Sequence, residues 1–207
     1  NSLVACKVAL DYRGIAPMYG GRPVQRDGSD IPIDPEKSFA KAHYEQHVAA
    51  TGFFQIGDER FEIDGWGLRD KSWGPRYWSA INWYRWCPLN FGPDFGMMLS
   101  VVAGAEGKPR EGGMVFKDGV YDNISECKLQ SDWDEHGYQT ALRAKVKTRG
   151  GKSYEVTGKV LSLIPLRNRR KTPEGDGKHA LLMQYKCGEK GKNASGYDGE
   201  TVALACP

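Results

Sequence analysis

Apolar and polar positions alternate with a period of two along most of this 207-residue chain. That is the spacing of half-buried strands, not of helices. Residues 3–10 predict a first strand. Residues 11–38 are rich in Gly, Pro and Asp without a helical period and predict a long loop, a length uncommon unless the segment is functional. From Ala42 to Ile56 the alternation is regular. Val48, Ala50, Gly52, Phe54 and Ile56 fall on one face, with His43, Glu45, His47 and Thr51 on the other. Gly57-Asp58 predicts a turn, and Arg60 to Ile63 begins the next strand. Trp78 to Trp86 predicts another, with Trp78, Asn82, Tyr84 and Trp86 on one face. After a loop over Pro88 to Pro93, Gly96 to Ala105 is an apolar run of buried-strand length.

Two hairpin signals follow. Asp118-Gly119 joins Met114–Lys117 to Val120–Asp122, and Arg149-Gly150-Gly151 joins two longer strands. Thr140–Thr148 points Leu142, Ala144 and Val146 inward and Arg143, Lys145 and Lys147 outward. Tyr154 to Ile164 alternates in the same way, and His179–Cys187 and Thr201–Ala205 close the chain. About ten antiparallel strands without an amphipathic helix predict an all-β sandwich or barrel. A calyx of roughly eight or more strands has room for one small ligand.

Composition narrows the function. The net charge is +3 and the pI near 8.5, and the cations are scattered apart from Arg167-Asn168-Arg169-Arg170-Lys171. That run reads as a solvated loop, so nucleic-acid binding is not expected. Five cysteines, an odd number without a Cys-x-x-Cys pair, argue against a disulfide scaffold or zinc knuckle and suit a reducing, cytoplasmic setting. No apolar run reaches the ~18 residues of a membrane span. No phosphate-binding glycine loop or Gly-x-Ser-x-Gly elbow is present, so no nucleotide cofactor and no serine-hydrolase chemistry is expected.

One stretch stands apart. Five of the six tryptophans lie between Trp66 and Trp86, among glycines and the charges Arg69, Asp70, Lys71 and Arg76. Buried charge is costly unless paired. Aromatic walls around a compensated charge cluster suit a small-molecule pocket; a structural knot of arginines stacked on indoles is the alternative. On a strand, Asp70 and Ser72 face away from Arg69, Lys71 and Trp73. Asp70 is then available to a cavity, or to Arg76 as an ion pair locking the Gly74-Pro75 bend. Aromatic surroundings raise a carboxyl pKa and a guanidinium lowers it, a balance that suits acid–base work. Lys71 beside Trp73 is a candidate base or Schiff-base nucleophile, or a lysine that reaches to solvent. His43, Glu45 and His47 share a strand face, but positions two apart lie ~6.6 Å from each other and converge poorly on one ion. No metal site is expected, and His43 and Glu45 are assigned hydrogen-bonding or proton-transfer roles.

The run Gly65-Trp66-Gly67-Leu68-Arg69-Asp70-Lys71-Ser72-Trp73-Gly74-Pro75-Arg76 closely resembles the Gly-x-Gly-x-Arg-Asp-His-Ser-Trp-Gly-x-Arg signature of lipocalin-like double-barrel proteins related to carotenoid 1,2-hydratase (hydroxyneurosporene synthase). His43-Tyr44-Glu45-Gln46 resembles the strand that often precedes it, and Gly196-Tyr197-Asp198-Gly199-Glu200 is similar to the Gly-Tyr-Gly-x-x-Glu ending. The resemblance covers most of the chain. It implies a lipocalin-like barrel over residues 1–207, the C-terminal part of a longer two-barrel protein with an N-terminal barrel as partner domain. The signature's His is Lys71 here, which puts that position's role in question. The expected function is lyase- or isomerase-type acid–base chemistry (hydration, dehydration, cyclisation or a related rearrangement) on a hydrophobic aromatic or terpenoid-like molecule. A carrier or sensor of the same ligands is the alternative. Asp70, Lys71, His43, Glu45, Arg69 and Arg76 are the catalytic candidates, and Trp66, Trp73, Trp78, Tyr84 and Trp86 the substrate-binding ones. The oligomeric state is left open.

Overall fold

The computed structural model describes residues 3–21, 27, 29, 31–32, 34, 40–75, 80–104, 108–167, 179–189 and 199–205, with the backbone alone from residue 164 onward. Arg76 and Trp78, the cationic run from Asn168 to Lys171 and residues 196–198 of the closing motif lie outside the described residues. The described residues hold twelve strands and no α-helix. They are β1 (Cys6–Gly14), β2 (Tyr19–Gly21), β3 (Ala42–Ile56), β4 (Glu59–Trp73), β5 (Trp83–Asn90), β6 (Phe95–Ala103), β7 (Pro109–Lys117), β8 (Val120–Trp133), β9 (Gln139–Thr148), β10 (Ser153–Arg167), β11 (His179–Glu189) and β12 (Gly199–Ala205).

The strands form two antiparallel bodies of a lipocalin-like architecture. β5 to β12 close into an eight-stranded barrel, with β12 returning to β5 through Leu204 opposite Trp86 and Ala205 opposite Arg85. β1 to β4 form a separate sheet around β3, which pairs with β4 along its full length and with β1 and β2 on its other edge. The strand count near ten thus divides into eight barrel strands and four outside them.

Three stretches differ from the sequence expectation. The loop predicted over 11–38 contains the end of β1 and all of β2. The loop predicted from Pro88 is the end of β5, where Pro88 sits opposite Met98. The strand predicted from Trp78 begins at Trp83.

Alternation explains the barrel core. Cys87 and Leu89 of β5 share a face with Met97 and Leu99 of β6, Val115 of β7, Cys127 of β8, Leu142, Ala144 and Val146 of β9, and Tyr154 and Val156 of β10. All of them are buried. Phe91 stacks on Phe95 with centroids 5.0 Å apart, and Phe95 meets Tyr154 at 5.8 Å. These rings plug one end of the lumen. At Gly113 the φ is 126° and an added Cβ would collide with the Met98 carbonyl oxygen. Only glycine lets β7 approach β6 so closely.

The second sheet has two unlike halves. Ala42, Glu45, His47 and Val48 at its near end are buried. At its far end, Val8, Tyr12, Phe54, Ile56 and Phe61 share one face by register and are exposed.

Candidate functional site

β3 crosses the outer wall of the barrel, and the seam between them carries the titratable groups. The β3–β4 register sets Glu45 opposite Asp70 and His43 opposite Ser72, so all four share the face turned to the barrel. His43 Nε2 lies 2.9 Å from Asp70 Oδ1 and 3.9 Å from Glu45 Oε1. From the barrel wall, Trp86 Nε1 donates to Glu45 Oε1 at 2.6 Å. The side chains of His43 and Asp70 are 43% and 39% exposed while that of Glu45 is 1% exposed. A His–Asp pair therefore stands at a solvent rim, directly above a buried carboxyl.

Burial raises the Glu45 pKa above its ordinary 4.5, opposed by the Trp86 hydrogen bond and by His43, and reinforced by the Asp70 charge. Desolvation dominates because Glu45 has one indole donor where a solvated carboxylate has several water donors. Glu45 is thereby biased toward the protonated acid.

One turn of the alternation away, His47 is buried too. Its ring stacks on Phe116 at 5.3 Å, and its Nδ1 lies 3.2 Å from the Tyr121 hydroxyl. Burial pushes the imidazole down to about 4, against a smaller upward pull from the Leu89 backbone. Among the described residues Nε2 has no hydrogen-bond partner of good geometry, so burial decides. The ring rests on Gly96, where any Cβ would strike the imidazole. Tyr121 packs on Tyr19 at 5.4 Å, whose hydroxyl donates to Asn123 Oδ1 at 2.5 Å. Burial raises both phenol pKa values, with Glu45 adding to each.

Of the residues singled out from sequence, the structure brings together His43, Glu45, Asp70 and Trp86, with Tyr84 on the same face of β5 as Trp86. It does not bring in Arg69 or Lys71. They pair with Gln46 and Tyr44 on the opposite face of the sheet, where Arg69 Cζ lies 5.2 Å over the Tyr44 ring. Trp73 is on that face as well, edge-on to Tyr44 at 6.1 Å and 41% exposed. Trp66 faces the seam side but lies further along β4, opposite Ala49, and is 49% exposed. The sequence reading did not include Tyr19, Tyr121 and Asn123. The only hint was His47, which alternation placed beside His43 and Glu45 on a face that had to meet something.

The model of a protein family described as a domain of unknown function (DUF7064) matches residues 2–196. No curated protein has a sequence that matches the chain. Among solved structures, CghA with Sch210972 is similar at TM-score 0.62 and 13% identity, covering 97% of this chain and 61% of its own. A second CghA structure gives TM-score 0.61 at 12% identity, with the same coverages of 97% and 61%. An AttH candidate from Nitrosomonas europaea gives 0.59 at 12% identity, covering 95% of this chain and 60% of its own. The chain thus spans about three fifths of the solved structures it matches. At such identities the likeness is one of fold.

Proposed function

The chain belongs to the family described as a domain of unknown function (DUF7064), and we infer its function from the geometry of the seam. On the fold shared with CghA and the Nitrosomonas protein, we propose an acid–base enzyme of lyase or isomerase type that acts on a hydrophobic, aromatic or terpenoid-like molecule at the seam. The observation that carries this reading is the meeting of a buried carboxyl with a solvent-facing imidazole. Glu45 is buried, with burial raising its pKa, and it lies 3.9 Å from the nitrogen of a solvent-facing histidine that is itself 2.9 Å from Asp70. A carboxyl that burial biases toward the acid, beside an exposed imidazole, sets a proton donor and a proton acceptor at one place. In this reading His43, oriented by Asp70, accepts a proton from carbon or water. Glu45 supplies one to an alkene carbon, to a carbonyl oxygen or to a hydroxyl that leaves as water. Trp86 and Tyr84 offer the apolar wall. CghA has been solved with Sch210972, which supports a ligand-taking role for this architecture.

The same proposal gives the second sheet a partner. The exposed face of Val8, Tyr12, Phe54, Ile56 and Phe61 is apolar surface of the kind that an N-terminal barrel domain would cover.

Deuterium incorporation tests the chemistry. The protein is incubated in D2O with a panel of isoprenoid alkenes, enones and aromatic ketones, and products are read by mass spectrometry. Turnover should bring deuterium or the elements of water into one class. Asp70→Asn and Glu45→Gln should lower the rate by roughly 10²–10⁴-fold, the scale of general acid–base catalysis, with saturable ligand binding retained. Saturable binding without mass change in any panel member would make the protein a carrier or sensor of those ligands.

A further inference from the structure

β2 is three residues long, Tyr19-Gly20-Gly21, and supplies a single side chain. Its pairing with β3 sets Tyr19 opposite Glu45, Gly20 opposite Tyr44 and Gly21 opposite His43. On the other edge of β3, Asp70 is opposite Glu45. Directly paired residues of an antiparallel ladder share a face. Tyr19, Glu45 and Asp70 therefore form one row across three strands, turned to the barrel. Gly20 makes this pairing possible. Its φ is 97°, and an added Cβ would strike the His43 carbonyl oxygen, so only glycine brings β2 in so tightly.

The two ends of the row differ. On the β4 side, Asp70 and the neighbouring His43 are exposed at the rim. On the β2 side, Tyr19 is anchored to the barrel. Its hydroxyl donates to Asn123 Oδ1 of β8 at 2.5 Å and lies 3.4 Å from the Gly113 carbonyl oxygen of β7. Its ring packs on Tyr121, whose hydroxyl in turn meets His47 Nδ1. Among the described strands, β2 is the edge of the second sheet on that side. Tyr19 is half-buried, whereas Glu45 beside it is buried, so the phenol stands between the carboxyl and the sheet edge. The titratable groups that face Glu45 are His43 and His47 along β3, Asp70 of β4, and Tyr19 and Tyr121 from the β2 side. Trp86 covers it from the barrel wall.

We propose that Tyr19 is a positioning residue of the seam: its ring closes the β2 side, so that Glu45 meets water and substrate from the His43–Asp70 side alone. This inference rests on the reading of Glu45 as the acid. A carboxyl open to water on both sides would be solvated as an ordinary carboxylate and would give up its proton at lower pH. With one side closed, the proton can pass only toward His43 and the molecule lying there. The phenol takes no part in the chemistry. Its hydroxyl is committed to Asn123, and the ring is what covers.

The test reads Glu45 directly. Its carboxyl carbon is followed by NMR against pH in the wild type, Tyr19→Phe and Tyr19→Ser, with Glu45→Gln identifying the resonance. The wild type and Tyr19→Phe, which keeps the ring, should both titrate above the ordinary 4.5 of a glutamate. Tyr19→Ser should titrate lower, back toward that value. Deuterium incorporation into any substrate that turns over should then fail at a lower pH in Tyr19→Ser. At neutral pH it should drop by about tenfold for each pH unit that the titration moves. The proposal is overturned if Glu45 titrates alike in Tyr19→Ser and the wild type. It is also overturned if Tyr19→Phe already brings Glu45 to its ordinary value, a comparison that does not depend on Tyr19→Ser folding and would assign the effect to the Asn123 bond. The two readings fail separately. A lowered titration in Tyr19→Ser without turnover of any substrate upholds the seal and refutes Glu45 as a catalytic acid. Turnover with an unmoved titration overturns the seal and leaves the acid in place.

Discussion

Acidification from pH 7 to 4 isolates what the neutral His47 imidazole contributes to the seam. Burial holds its pKa at about 4 in the folded chain, against an ordinary value of 6.5. Above pH 6.5 neither state carries the proton, and the folded state keeps its full advantage. As the pH falls through 6.5 the unfolded chain takes up the proton while the folded chain refuses it, so stability drops steadily until about pH 4. Each pKa unit corresponds to about 1.4 kcal/mol, so the whole window is worth about 3 kcal/mol. Glu45 acts with the opposite sign. Its raised pKa makes the fold the better proton acceptor, so its share of stability is present at low pH and is lost as the pH climbs from its ordinary value through its folded one. The two must be separated by difference. Urea denaturation of the wild type and of His47→Gln at half-unit steps between pH 7 and 4 supplies it. Glutamine keeps an amide near the Tyr121 hydroxyl but does not titrate. The wild-type curve should fall below the variant's progressively, by about 3 kcal/mol in total over the window. Parallel curves would mean that the imidazole is not held neutral by the seam, and the account of its burial would fail.

Trp86→Phe removes the indole donor to Glu45 and leaves a buried carboxyl oxygen without it. Urea denaturation should show a loss of ~1–3 kcal/mol, the scale for an orphaned buried polar group, and the Glu45 pKa should move further up. Gly113→Ala combines a φ of 126° with a collision against the Met98 carbonyl oxygen, whereas Gly119→Ala at φ 83° meets nothing nearby. Gly119→Ala should cost about 1–2 kcal/mol, the left-handed penalty alone. Gly113→Ala should cost clearly more, and equal melting temperatures would show that the close β6–β7 approach is not needed.

Local alternation carried most of the fold. Ala42–Ile56 is a strand over the same residues in sequence and structure, because its period of two is uninterrupted. The Asp118-Gly119 hairpin appears as two successive positive φ values, 50° and 83°, as an Asp-Gly turn demands. β1 ran on to Gly14 where composition suggested a loop: Asp11 and Arg13 face Thr51 and Ala49 on an exposed strand, and pairing with β3 overrides weak strand propensity. The legibility of the site was uneven for a similar reason. His43, Glu45 and Asp70 come together through one ladder, so alternation placed them on suitable faces. The same alternation separated Arg69 and Lys71 from Asp70. What sequence could not supply was burial. Glu45 lay on the polar face of an amphipathic strand, and only the passage of β3 over the barrel makes that face an interior. The Glu45–Trp86 bond joins two bodies of the fold across 41 residues, and no local pattern encodes such a contact.

That crossing also gives β5 a double duty that constrains its register. Arg85 faces the lumen and Trp86 faces the seam because consecutive strand residues alternate sides. A slip of one residue against β6 would send the indole into the barrel and the guanidinium onto Glu45. The lumen would then lose its cation. The seam would exchange a neutral donor for a charge, and a guanidinium beside the carboxyl would pull its pKa down, removing the acid on which the proposed chemistry depends. The register is held by eight consecutive pairs from Trp83–Ala103 to Asn90–Gly96, and by the fit of Cys87 and Leu89 among buried core residues. Gly96 ends that ladder and also floors the His47 ring. The residue that completes the β5–β6 register is thus the one that lets the second sheet approach, so barrel closure and assembly of the seam are one packing problem.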